Sequence, residues 1–188
     1  MQPIRYAKRE CRDQDKIDLF LQQAAAGYLG LSVDDMPYVV PLNYVWLNGA
    51  VYFHGAAEGR KNDMIARNAQ ACFTVCESPG TIASPIPAHT DTAYMSVMLF
   101  GAVRPVEGLD EAVEAMQAML DKYVPGYFNQ PLAASHLDKY RSSLGSRTVV
   151  MKLVPHTITA KENDQPESAL FYRGRKAADD ARSRSGEG

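Results

Sequence analysis

The stretch "YFHGAAEGRKNDMIARN", Tyr52 to Asn68, gathers the groups of this chain best placed to meet an anion. One imidazole, His54, and two cations, Arg60 and Lys61, stand within a few residues of Gly55 and Gly59. The pattern reads as a strand, a small-residue loop and a short helix. Amide N–H groups at a helix start have no intrahelical partner and carry partial positive charge. Glycines let backbone approach a ligand closely. With Arg60 and Lys61 added, the stretch describes an anion site suited to a phosphate. The same residues also describe a solvated turn with ordinary surface cations.

His54 is the candidate catalytic group, because imidazole titrates near neutrality and can move protons or ligate a metal. A histidine satisfied by one backbone partner gives the same sequence. His89, His136 and His156 show no metal-ligand spacing with it, so no metal site is expected. Cys11, Cys72 and Cys76 are read as plain thiols: their number is odd and no secretory signal accompanies them. Four residues of strand separate Cys72 from Cys76 by roughly 13 Å, too far for a bridge within that strand.

Several function classes are disfavoured. A net charge of −2 supplies no field toward nucleic acid or an anionic membrane. No apolar run reaches the ~20 residues of a spanning helix. The start "MQPIRYAKRECRDQDK" has no apolar signal region, and the cytoplasm is the expected compartment. No glycine-rich dinucleotide motif follows a strand, and neither a P-loop nor a nucleophile elbow is present.

The elements that must position the cations follow from periodicity. Asp13 to Ala24 has helical spacing. Tyr28 to Val33 reads as a strand. Pro37 to Leu47 reads as another, with Tyr38, Val40, Leu42, Tyr44 and Trp46 on one face. Asn48-Gly49 signals a hairpin into "AVYFHG". Strand "ACFTVCE" precedes a Pro-rich loop, Ser78 to Asp91. Thr92 to Val106 is a long strand in which Gly101 marks a bulge or bend. The next helix carries a stripe of Leu109, Ala112, Val113, Met116, Leu120 and Tyr123. A weaker helix, "AASHLDKYRSSLG", ends at Gly145, and Arg147 to Ala160 is the last strand. Six antiparallel strands joined by tight turns close into a small barrel with flanking helices, a mainly β fold. Residues 1–161 form this domain, and 162–188 read as a polar, flexible tail docked at most by "ALFY".

The run "PYVVPLNYVWLNGAVYFHGAAEGRKNDMIARNAQACFTV" resembles the 5-nitroimidazole-resistance (nitroimidazole reductase-like) branch of the pyridoxamine 5'-phosphate oxidase-like FMN-binding split barrels. The matching residues are Pro37, Tyr38, Pro41, Leu42, Tyr44, Tyr52 to Ala56, Gly59, Arg60, Lys61, Cys72, Phe73 and Val75. "YMSVMLFGAVRPV" and "VMKLVPHTITAKEN" look like later strands of that family, so the likeness spans about residues 5 to 161. The resemblance implies a six-stranded split β-barrel homodimer with FMN at the subunit interface. It implies that Arg60 and Lys61 hold the FMN phosphate, and that Pro41, Leu42, Asn43 and Tyr44 run beside the flavin. His54 and Gly55 would lie near the isoalloxazine, with Ser96 and Val97 closing the site. The Arg/Trp-rich substrate segment of true pyridoxamine phosphate oxidases has no counterpart here, so pyridoxamine phosphate is not the expected substrate.

The expected activity is that of a flavin-dependent reductase, passing electrons from a nicotinamide donor to a nitroaromatic or quinone-like acceptor. A non-catalytic carrier or sensor of flavin or haem, with His54 as axial ligand, is the alternative.

Overall fold

Strand β2 (Gly27–Val33) shows the alternation of a half-covered sheet: Gly27, Leu29, Leu31 and Val33 face inward, Tyr28 and Ser32 outward. The computed structural model describes residues 4–139 and 145–185. Asp34 and Asp35 turn the chain with positive φ, and β3 (Met36–Leu42) returns along β2 in register Val33↔Met36. The Asn48-Gly49 hairpin joins β4 (Val45–Leu47) to β5 (Ala50–Ala56), also with positive φ at both turn residues. Helix α1 (Gln14–Gln23) starts under a cap from Asp13, whose carboxylate accepts the Lys16 N–H at 3.1 Å.

The remaining strands are β1 (Glu10–Cys11), β6 (Gln70–Ile82), β7 (Asp91–Pro105) and β8 (Thr148–Asn163), and the sheet order is β3-β2-β6-β7-β8-β5-β4. Its two ends, β3 and β4, are joined by Asn43 and Tyr44 alone. Laid flat, seven strands would hold those ends about 29 Å apart, whereas so short a link spans about 11 Å. The sheet must therefore roll up, yet β3 and β4 do not pair, and the result is a split barrel. The single strand expected over Pro37 to Leu47 is thus two strands broken at Asn43, where the chain passes from one sheet edge to the other. The two-residue β1, pairing Glu10↔Lys161 and Cys11↔Ala160, completes the eight.

The chain divides into two compact units. Asp13–Val75 with Val97–Thr159 holds the main core, in which Leu29, Phe53, Phe73, Val75, Leu99 and Leu153 are fully buried. Helix α3 (Leu109–Tyr123) covers β4, β5 and β8 through Ala112, Ala115 and Met119. The apolar stripe read in its sequence is displaced: Leu109 is exposed, and Ala115 and Met119 take the inner positions. Gly101 interrupts nothing. A Cβ there would come within 2.4 Å of the Val154 carbonyl oxygen, so the glycine answers to close strand approach and not to a bend.

The other unit comprises Met1–Arg12, Cys76–Ser96 and Ala160–Gly188. Strand β6 continues to Ile82, so Ser78 to Ile82, expected as loop, is sheet. Ile82 bridges Leu170, and the Phe171 N–H donates to the Thr81 carbonyl at 2.7 Å. The tail after residue 162 carries this local order through "ALFY", and then helix α5 (Ala177–Ser185). Residues 140–144, where the weaker helix was expected to continue beyond α4 (Ala134–Lys139), lie outside the described residues, as do 186–188. Among the described residues, no helix is long and apolar enough to cross a membrane.

A polar staple ties α3 to the sheet. Glu111 accepts from the Tyr52 hydroxyl at 2.8 Å and from the Lys152 ammonium at 2.8 and 3.0 Å. Lys152 first and Tyr52 next hold the Glu111 carboxyl below its ordinary 4.5. Burial, then the bond to Glu111, pushes the Tyr52 phenol up to about 12. Glu111 therefore stabilises the fold fully above its unfolded value, and this contribution is lost as pH falls through the lower folded value. Glu111→Gln is expected to flatten the acid limb of urea stability below pH 4.5; an unchanged limb would show the staple to be idle.

Candidate functional site

Strand β5 runs buried from Ala50 to Phe53 and surfaces at His54. Its pairing with β8, His54↔Val150 and Gly55↔Val149, fixes the two residues at which the chain leaves the sheet. The loop is anchored at both ends. The Ala57 N–H donates to the Arg147 carbonyl at 2.8 Å, and the Asn62 amide donates to the Ala56 carbonyl at 2.6 Å. Gly59, at φ 109°, then opens helix α2 (Arg60–Arg67), which no side chain caps. The Gly59 carbonyl accepts the N–H groups of Asn62 (2.9 Å) and Asp63 (3.1 Å).

Lys61 is half-buried, with its ammonium 5.2 Å from the Phe53 ring centroid. A Cβ on Gly55 would lie 2.7 Å from that nitrogen, so glycine at 55 makes the room the ammonium occupies. Burial lowers the Lys61 pKa, the signature of a cation whose hydration is curtailed. Arg60 is exposed, and its guanidinium carbon stands 5.9 Å from the ring centroid of Tyr38 on β3. The two cations therefore reach from one uncapped helix start to different neighbours, which suits gripping an anion from two sides.

Alternation places Phe53 and Gly55 on one face of β5 and His54 on the other. His54 lines a cavity of about 570 Å³ with Met116 and Leu120 of α3, a cavity that neither Arg60 nor Lys61 lines. Burial first, and the Lys61 ammonium second, hold the imidazole below its ordinary 6.5.

Other residues picked out in the sequence are dispersed by the fold. Pro41 and Asn43 are exposed and Leu42 is half-buried beside the β3–β4 break. Tyr44 is fully buried: its ring meets Phe73 edge-on at 5.0 Å, and its hydroxyl donates to the Leu21 carbonyl at 2.8 Å. Its side chain is a core pillar that fixes where Leu42 and Asn43 lie. Val97 is equally buried, and Ser96 is half-buried on β7. Among the described residues, no cluster of three or more His, Cys, Asp or Glu is arranged to hold a metal.

Sequence reasoning missed Lys122 and Tyr123. The Tyr123 hydroxyl accepts the Tyr44 N–H at 2.9 Å and lies 2.9 and 3.0 Å from the carbonyls of Ala25 and Tyr44. The Lys122 ammonium donates to the Tyr44 carbonyl at 3.1 Å. The end of α3 thus braces the point where the barrel splits. Nothing in the local pattern announces a contact 79 residues away. Tyr123→Phe strands a half-buried N–H and is expected to cost about 1–3 kcal/mol, read as a lowered urea midpoint; an unchanged midpoint would sink the brace.

A family model described as pyridoxamine 5'-phosphate oxidase matches residues 13–162. No curated protein matches. Among solved structures, the flavocytochrome Anf3 from Azotobacter vinelandii is similar at TM-score 0.72 and 21% identity, over 92% of this chain and 76% of that one. A candidate 5-nitroimidazole antibiotic resistance protein from Bacteroides thetaiotaomicron is similar at TM-score 0.62 and 25% identity, over 81% and 85%. An FAD- and haem-binding protein from Mycobacterium smegmatis is similar at TM-score 0.68 and 16% identity, over 93% and 80%.

Proposed function

The chain belongs to the pyridoxamine 5'-phosphate oxidase family, and from that premise we propose that it binds FMN and works as a flavin-dependent reductase. The observation that carries this reading is the phosphate grip. Two cations extend from the uncapped helix start after Gly59, and Gly55 leaves room for the Lys61 ammonium. That arrangement fits a terminal phosphate ester. Arg60 and Lys61 hold the phosphate, while Pro41, Leu42 and Asn43 border the ring from the β3–β4 break. Bound there, the flavin supplies two-electron chemistry between a nicotinamide donor and a nitroaromatic or quinone-like acceptor. The protein binds it, orients it and excludes water.

Similar structures include a flavocytochrome, a protein described as binding FAD and haem, and one described as binding FAD. FMN is favoured here because the grip is compact and sits at one helix start. Chromatography of the released flavin tests the choice: FMN is expected, and FAD would overturn it. Bleaching of the flavin absorption by NADH or NADPH tests turnover; a spectrum that neither donor changes would leave a carrier or sensor.

The working unit in this reading is a homodimer in the cytoplasm with the flavin at the subunit interface. Edge strand β3 leaves Met36 at 67% exposure on one face and Val39 at 63% on the other, apolar surface at a sheet edge that a second copy would cover. Sedimentation as a monomer across the micromolar range would count against it.

A haem reading rests on a separate observation, the presence of both His54 and His136 in the lining of one cavity. An intense Soret band in the purified protein would select it over flavin.

A further inference from the structure

We propose that the cavity between α3 and the 128–137 segment is the seat of the electron acceptor, and that it takes a neutral, flat, largely apolar molecule of the quinone class. The word acceptor rests on the flavin reading above; the ligand class rests on the cavity itself.

At about 570 Å³ the cavity is of the size that encloses a small organic ligand. Met116 and Leu120 of α3, with Phe128 and Leu137, supply its apolar walls. Met116 and Leu120 are half-buried beside the inner positions of α3, and Met116 and Leu137 also pack against the core beneath it. A concave, largely apolar space of this size with a few polar groups is the usual form of a small-molecule site.

Among the described lining residues there is no Asp, Glu, Lys or Arg. Among the described residues, an ionic ligand would meet no countercharge on the cavity wall itself. The polar groups are of the kind that recognise a carbonyl: the imidazoles of His54 and His136 and the side-chain amides of Asn129 and Gln130. A neutral imidazole offers one N–H donor and one acceptor nitrogen. Phe128 is 56% exposed and meets Tyr127 edge-on at 5.0 Å, which leaves ring surface for a flat ligand to stack on.

The cavity adjoins the strand end that leads into the phosphate grip. His54 and Gly55 are adjacent, about 3.3 Å apart along the strand. Gly55 adjoins the Lys61 ammonium and His54 adjoins the cavity, so phosphate grip and acceptor seat use opposite faces of one short segment.

The experiment measures menadione, a neutral naphthoquinone, and its anionic sulfonate by equilibrium dialysis against the full chain, with and without added FMN. Menadione is expected to bind saturably, and the sulfonate at least tenfold more weakly. Leu120→Trp, which fills the cavity, is expected to weaken menadione at least tenfold. His136→Phe, at an exposed position that does not endanger folding, removes one hydrogen bond and is expected to weaken it about two- to tenfold. Neither change should alter FMN affinity. Equal binding of menadione and its sulfonate, or parental menadione affinity in both variants, would overturn the site. Binding in the absence of flavin separates this site from the flavin reading. If menadione binds but the reduced holoprotein does not reduce it, the site stands as a ligand site and its assignment as acceptor seat is overturned.

Discussion

Arg60→Ala or Lys61→Ala is expected to weaken FMN about ten- to a hundredfold and to leave riboflavin nearly untouched. Each charge-assisted hydrogen bond contributes about 1.5–3 kcal/mol, and every 1.4 kcal/mol is tenfold in dissociation constant. Riboflavin has the same ring without the phosphate, so it isolates the loss to that group. The two substitutions should differ. Lys61 is half-buried, held over Phe53 and deprived of part of its hydration, so an anion restores more to it. Arg60 is exposed and loosely seated near Tyr38. The larger effect is expected at Lys61. Added salt should weaken FMN more than riboflavin, and more steeply in the parent than in Lys61→Ala, because screening acts on the phosphate contact. Isothermal titration of both flavins against the three proteins reads all of this. Equal affinities for FMN and riboflavin in the parent, unmoved by either change, would mark the cations as surface charges and remove the basis for an FMN site.

What the sequence disclosed about this site follows a physical division. Local features were legible. Asn48-Gly49 could only be a tight hairpin, and the handover from β5 to α2 was visible in the glycines and cations. Features set by distant partners were hidden. The run Tyr38 to Trp46 keeps one alternation throughout, so nothing local marks the break at Asn43; it exists because the rolled sheet brings its two edges together. Pro79 and Gly80 disguised the continuation of β6 to Ile82 as a loop. Closeness in sequence also made His54 and Lys61 read as one cluster, whereas the period of the strand puts His54 on the face opposite Phe53 and Gly55, the residues against which Lys61 packs. Tyr123 and Tyr44 are linked only through the packing of α3 over β4, which no local pattern encodes.

Gly101 yields the other large effect. Read in the sequence it suggested a bulge, and in the structure its missing Cβ leaves room for the backbone of β8 at Val154. A Cβ there would stand 2.4 Å from the Val154 carbonyl oxygen and 3.1 Å from the Leu153 side chain. The nearer obstacle is backbone, which cannot rotate away as a side chain would. Leu153 and Leu99 are fully buried around it and Val103 nearly so, so any displacement spreads into the core. Gly101→Ala is expected to destabilise the protein by about 3 kcal/mol, the upper end of the usual range for overpacking. In urea that lowers the midpoint by roughly 1–3 M. The comparison that isolates the cause is Gly108→Ala. At Gly108 a Cβ meets only the Glu111 side chain, at 3.9 Å, and φ is an ordinary −79°. Its loss as a helix cap should cost no more than about 1 kcal/mol. A Gly101→Ala midpoint as close to the parent as that of Gly108→Ala would mean that the two strands can part without penalty. Residues 97 to 103 would then not be held rigidly against β8, and the precise spacing of the barrel would not depend on this glycine.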